Sequence, residues 1–330
     1  MSTDFFRRPP TRREFLTIGT GMFVALSMPL SLRRRVPLVR RSFPLMGTIA
    51  EVQVAHQNER LAEAAIDAAL AELQWVERTM TRFRPDSDIG RANLAAGREG
   101  VRVSTETGLV IEAALRWASV SDGNFDPALG AASELWDVLH RRQPPEERAV
   151  ERLASRGFWR KLDLTRDGRG AVVRFDTPDL HLDLGGIAKG YGIDRAVVAL
   201  RSRGIAHAIV TVGGDLYALG HAPDGAPWQV GIRDPHQLDR LAGRLDVADR
   251  AVTTSGDYER YFTWHGVRYH HLMDPRTAAP RRTPIHSVTV LGETCMDADA
   301  AATAVFGMAT DEAQRMARRV LADAEVIPLT

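Results

Sequence analysis

The sequence predicts a mixed α/β (α+β) enzyme fold, and three observations predict it. The composition is that of an ordinary globular protein: 330 residues, 44% hydrophobic and 26% charged, with ample apolar material for a full core. Residues Glu59 to Met80 repeat Leu61, Ala65, Ala68, Ala69, Leu73 and Val76 at helical spacing. From Ala171 onward the texture changes to short strands and turns, interrupted by two further helical stretches, which suggests strands with helices on the outside. A single cysteine, Cys295, excludes a disulfide framework and a cysteine-based zinc site.

The first element is an address segment. Residues 1–41 carry nine Arg against Asp4 and Glu14, or +7, which leaves the remaining chain at about −6 given the net charge of +1. That acidic body argues against nucleic acid as the main partner. Arg12-Arg13 precedes a moderately apolar run to Leu32 that contains Gly19 and Gly21. This is the pattern of a twin-arginine export signal and implies a periplasmic location. The run is short for a span of about 20 residues. No A-x-A cleavage site precedes Arg33-Arg34-Arg35, so removal of the segment and its retention as a membrane anchor both stay open. Residues 1–40 are therefore set apart from one domain over 41–330.

In the body, Arg41 to His56 alternates apolar and polar residues and reads as one strand. After the helix to Met80, a second helix runs from Thr105 to Ser119. Residues 139–170, rich in Arg and Pro, read by default as surface helix and loop. Strands are expected at Val172–Phe175, His181–Asp183, Ala206–Val212, Trp228–Ile232, Val252–Thr254, Tyr261–Trp264, Val267–Met273 and His286–Leu291. Helices are expected at Ile187–Arg203 and Met296–Met308.

Several short segments bear chemistry. Asp183-Leu184-Gly185-Gly186-Ile187-Ala188-Lys189-Gly190 is a glycine turn opening a helix, where backbone N–H groups can meet a phosphate. It is neither a Walker loop nor G-x-G-x-x-G. Lys189 is one of only two lysines among 43 basic residues, so a compact ammonium in that turn stands out. Asp299 and Thr303 fall at i and i+4, on one helix face. Their hard oxygens suit Mg²⁺, and a plain capping Asp with a back-bonding Thr is the alternative. His270-His271, followed by Asp274 and Pro275, could form a general-base site, although a strand histidine is commonly structural. Met46-Gly47-Thr48 and Ser121 to Pro127 complete the set. In the latter, Phe125 could stack on a flat ring and Asp126 could bind a polar edge.

Taken in order, these blocks resemble the ApbE family, the FAD:protein FMN transferases. The matching blocks are Pro44–Thr48, Met80–Ile89, Gly123–Pro127, Asp183–Gly190, Val212–Asp215, Thr254–Tyr258, His271–Thr277 and Asp299–Thr303. The resemblance covers about residues 41–310. It implies one domain with two sub-lobes around a flavin cleft. It implies FAD contacts at Met46, Phe83, Asn124, Phe125, Asp126, Asp183, Lys189 and Met273. It further implies Mg²⁺ at Asp299, Thr303 and the Gly186 carbonyl, with His271 as general base or its orienter, directly or through Asp257. The implied reaction is Mg²⁺-dependent transfer of FMN from FAD to a Thr or Ser hydroxyl of an acceptor flavoprotein, with release of AMP. The export signal makes that acceptor part of an exported or membrane electron-transfer complex. Two alternatives share the site: an FAD pyrophosphatase with water as acceptor, and a non-catalytic flavin-binding assembly factor. The sequence departs from the family pattern at Ala278, where relatives often have Gly, at Asn124 for Ala, and at Phe83 for Tyr.

Overall fold

The computed structural model describes residues 25–26, 36–154 and 157–330. The twin-arginine segment lies outside the described residues, apart from Ala25–Leu26, which pair with strand Trp228–Arg233. Among the described residues no helix is long and apolar enough to cross a membrane.

The frame is a seven-stranded antiparallel sheet made of β1 (Leu38–Leu45), β2 (Thr48–Ala55), β3 (Ala208–Val212), β4 (Asp215–Leu219), β5 (Arg250–Gly256), β6 (Ser287–Gly292) and β7 (Glu325–Leu329). Its spatial order is the order of the chain, β1 to β7, each strand antiparallel to the next. The expected strand over Arg41–His56 is in fact the hairpin β1–β2. Met46 and Gly47 make its turn with φ of +52° and +67°, and alternation continues through such a turn, so periodicity could not show the break. Three helices cover one face: α1 (Glu59–Met80), α6 (Ala188–Ser202) and α7 (Cys295–Val305). Ala50, Val52 and Val54 of β2 are fully buried on that side with Ala62, Ile66, Ala69 and Leu73 of α1. Asn58 caps α1, its side chain accepting from Leu61 N at 3.1 Å. The opposite face packs on strands Trp228–Arg233 and Leu241–Val247, where Trp228, Val230 and Ile232 meet Ile209, Leu216 and Val252.

Between α1 and α6 lies a long insertion with α2 (Asp88–Leu94), α3 (Thr105–Val120), α4 (Gly130–Trp136) and the short α5 (Glu147–Glu151). It carries its own three-stranded sheet of Val101–Val103, Leu162–Asp167 and Gly170–Phe175. Residues 139–170 thus contribute a strand and the buried Phe158 as well as surface turns. His181–Asp183 is not a strand: it forms an isolated bridge at His181 and then turns into α6. Val267–Met273 also breaks, with strand Val267–His270 ending two residues before Leu272 and a two-residue strand at Met273–Asp274. Helix α8 (Thr310–Ala317) then leads into β7.

Candidate active site

The site is built where α6, α7 and the ends of β4 and β5 converge. Lys189 lies in the first turn of α6, Asp299 and Thr303 lie one turn apart on α7, and Asp215 follows the Gly213 turn (φ +60°) that opens β4. Two devices fix the helices against each other. A Cβ on Gly190 would sit 2.2 Å from the Cys295 carbonyl oxygen, so only glycine permits this approach. Asp194 of α6 accepts from Cys295 N at 2.8 Å and Met296 N at 2.9 Å, satisfying open donors at the start of α7. Burial pushes the Asp194 carboxyl up to about 7, against those two bonds.

The packing brings Lys189 Nζ to 2.6 Å from Asp215 Oδ2 and 3.0 Å from both Asp299 oxygens. Gly190 N–H donates to Asp299 Oδ2 at 3.1 Å. Both carboxylates are buried. Burial works against the Lys189 charge, but the two carboxylates outweigh it and hold its pKa above the ordinary lysine value. Burial and the nearby Asp299 raise Asp215, with Lys189 pulling the other way. Two carboxylates against one ammonium leave a net charge of −1 when all are ionised.

Thr303 points to the same place. Its Oγ1 lies 3.4 Å from Ser255 Oγ, and a Cβ on Gly186 would lie 3.0 Å from Thr303 Oγ1 and 3.1 Å from the Phe125 ring. Asp299, Thr303 and the Gly186 backbone therefore share one corner, beside an excess negative charge. The Asp299 carboxylate and the Thr303 hydroxyl are hard oxygens of the kind that suit a divalent cation such as Mg²⁺, with Lys189 now on both Asp299 oxygens. Among the described residues no cluster of three or more His, Cys, Asp or Glu side chains is placed to hold a metal; the set here draws only one ligand from those types.

A second group flanks this corner. Asp183 Oδ1 accepts from Gly185 N at 2.9 Å, and its Oδ2 lies 3.0 Å from Arg82 Nε. The Arg82 guanidinium sits 4.3 Å over the Phe83 ring, which is 77% exposed and free to stack on a flat ligand. Asp183 N also donates to Pro127 O at 2.8 Å, joining this turn to the Asn124–Asp126 loop. In that loop Phe125 is buried, Asn124 Nδ2 donates to Ala304 O at 2.9 Å, and burial lifts the Asp126 carboxyl to about 6. Met46 N donates to Glu77 Oε1 at 2.6 Å, and the Met46 side chain reaches Gly192 of α6. An open pocket of about 520 Å³ beside this turn is walled by Pro44, Leu45, Gly47, Thr48, Ile49 and Glu77; the Lys189–Asp299 cluster is not part of it.

The two histidines differ. His270 is buried, with Nε2 against Arg281 O at 2.9 Å and Nδ1 accepting from Leu272 N at 3.2 Å, and burial lowers it to about 4. His271 donates its backbone N–H to Arg260 O at 3.1 Å, and its Nδ1 is buried without a hydrogen-bond partner. Burial first, then Arg260, His270 and Lys189, lower His271 to about 3, so its ring is neutral at pH 7. Asp257 commits its two oxygens elsewhere: Oδ1 to Arg268 at 2.8 Å and Oδ2 to His286 Nδ1 at 2.7 Å. Met273 is buried, and its carbonyl accepts from Arg281 Nε at 3.1 Å.

The sequence reading assigned no role to Asp215, Ser255, Arg82, His286 or Arg281. Asp215 and Ser255 each meet a helix residue distant in sequence, Lys189 of α6 and Thr303 of α7, which no spacing rule reveals. The ApbE family profile matches residues 46–327. The chain belongs to the ApbE family. It is 36% identical over 289 residues to the FAD:protein FMN transferase of Treponema pallidum, covering 83% of this chain and 80% of that one. To the FAD:protein FMN transferase of Vibrio cholerae it is 34% identical over 290 residues, covering 84% and 85%. Among solved structures, the ApbE protein of Thermotoga maritima superposes with a TM-score of 0.77 at 32% identity, covering 88% of this chain and 94% of that one. The flavin transferase ApbE of Vibrio cholerae gives 0.75 at 29% identity, covering 88% and 93%. The mixed α/β fold expected from the resemblance is thus the fold of ApbE proteins.

Proposed function

We propose that the protein is an FAD:protein FMN transferase that moves FMN from FAD to a Thr or Ser hydroxyl of an acceptor flavoprotein. The observation that carries this reading is the corner where Asp299, Thr303 and Gly186 meet the Lys189 ammonium. It offers hard oxygens and a fixed cation in one buried place, which suits a diphosphate. Asp299, Thr303 and the Gly186 carbonyl would hold Mg²⁺, which when bound would offset charge developing on the diphosphate. Phe83, on its Arg82 prop, stacks on the flavin ring, and the Asn124–Asp126 loop with Asp183 orients it. Lys189 holds the Asp299 and Asp215 carboxylates in place beside the diphosphate. His271, neutral at pH 7, accepts the proton of the attacking hydroxyl. The acceptor oxygen then forms a bond to the FMN phosphorus, the phosphoanhydride bond to AMP breaks, and AMP leaves as the phosphate anion.

The Arg12-Arg13 signal supports export to the periplasm, with an acceptor in an exported or membrane electron-transfer complex. The test is incubation with FAD, Mg²⁺ and an acceptor carrying a candidate Thr, read by intact mass. The acceptor gains one FMN less water in a Mg²⁺-dependent way. Asp299→Ala lowers that rate on the order of a thousandfold, through loss of several kcal/mol of charge stabilisation. Free FMN and AMP with an unlabelled acceptor would assign the site to hydrolysis instead, and normal transfer by Asp299→Ala would remove Asp299 from the metal site.

A further inference from the structure

One buried cation lies outside the roles given above. Arg281 is 9% exposed, and its three side-chain hydrogen bonds go to backbone carbonyls: Met273 O at 3.1 Å, Phe306 O at 2.6 Å, and Asn124 O. Burial lowers its pKa to about 10, so it stays charged at neutral pH. The three carbonyls belong to three different parts of the candidate site. Asn124 precedes Phe125 and Asp126 on the flavin-side loop. Met273 lies two residues beyond His271. Phe306 is the C-cap of α7, three residues beyond Thr303. The Arg281 backbone closes the arrangement, its N–H donating to Leu272 O at 2.9 Å and its carbonyl lying 2.9 Å from His270 Nε2. Asn124 Nδ2 adds a second tie to α7 at Ala304 O.

We infer that Arg281 is the positioning residue that sets the flavin loop, the histidine turn and the metal-side helix in one register for transfer. The inference rests on the transferase reading above. The chemistry requires arginine. A planar guanidinium presents rigid donors in a spread that reaches three separate carbonyls at once, whereas an ammonium is a compact point with flexible reach. A carbonyl cap on a helix end is ordinary; one cation shared among three site segments makes their relative placement depend on a single side chain. Displacement of about 1 Å between reacting groups is enough to cost on the order of a hundredfold in rate.

The test uses the full chain and three readouts: flavin affinity from fluorescence of added FAD, transfer rate per bound FAD, and thermal midpoint. Arg281→Lys keeps the charge and loses the fork. It is expected to stay folded, to bind FAD more weakly, and to transfer on the order of a hundredfold more slowly per bound FAD. Arg281→Ala is expected to regain at least about a tenth of the lost rate when guanidinium ion is added at low millimolar concentration, and none with methylammonium, because only the planar ion can bridge the carbonyls. Should Arg281→Ala not fold, Arg281→Lys carries the test. A folded Arg281→Lys with wild-type FAD affinity and wild-type rate per bound FAD would overturn the inference and leave a purely structural arginine. Wild-type protein that labels no acceptor would instead defeat the transferase reading, and the FAD affinity of Arg281→Lys would still decide the positioning role.

Discussion

The Lys189 ammonium shows how residue type and place combine. In a chain that uses arginine nearly everywhere, this lysine sits between two buried carboxylates at 2.6 and 3.0 Å. A guanidinium is larger and planar and would not fit between two buried carboxylates this close in the same way. The residue scale also separates the adjacent histidines. His270 spends both ring nitrogens on backbone groups, so it holds the turn. His271 keeps a buried ring nitrogen without a partner, and burial above all holds the ring neutral. His271→Ala is therefore expected to leave FAD affinity unchanged and to slow transfer by about 10²- to 10⁴-fold, the usual range for a general base. Flavin fluorescence and single-turnover transfer measured on one preparation check this, and equal losses in both would make His271 a binding residue. The type and order of Asp299, Thr303, Lys189 and His271 were legible in the sequence because they lie in short blocks. Asp215 and Arg281 were not, because their partners lie elsewhere in the chain and only the packing of helix on strand and of loop on helix brings them together.

At the scale of elements, helices were legible where a periodic apolar stripe is long. The stretch Glu59–Met80 is helical over the same bounds that its spacing predicts. Strands fared worse where a turn preserves alternation, as at Met46–Gly47, or where the strand is partly polar, as in Leu241–Val247. Helix α7 was legible as a helix, but its role depends on contact with α6 at Gly190 and Asp194. That contact yields a prediction. In Gly190→Ala the new methyl meets the Cys295 carbonyl oxygen 2.2 Å away and Met296 Cα 2.8 Å away, both backbone atoms that cannot rotate aside. The helices must separate, which costs about 3 kcal/mol. The separation also pulls Lys189 away from Asp299. Denaturant unfolding should register the loss of stability, and Mg²⁺-dependent transfer by the remaining folded protein should fall with it. An alanine variant of wild-type stability would show that the helix pair has slack which this packing does not suggest.

Over the whole molecule, the seven strands lie in the order of the chain, yet the segments joining them range from a two-residue turn to the long insertion between α1 and α6. Site residues come from both parts: Phe83, Asn124, Phe125, Asp126 and Asp183 from the insertion, Lys189, Asp215, Asp299 and Thr303 from the sheet and its helices, and His271 from the segment between β5 and β6. Such a site is complete only once the entire body has folded, and a route that carries folded proteins suits it. Cys295 is buried and donates to Leu216 O at 3.0 Å, which shields the thiol from oxidants. These two properties give Arg12-Arg13 a specific consequence. Replacing both with Lys keeps the charge but removes the paired guanidinium signal. The doubly substituted protein should accumulate in the cytoplasm, as read by fractionation. After purification it should still transfer FMN at the wild-type rate, because none of the site residues lies in that segment. Continued export would mean that Arg12-Arg13 is not the signal, and a lost transfer rate would mean that the N-terminal segment contributes to the site.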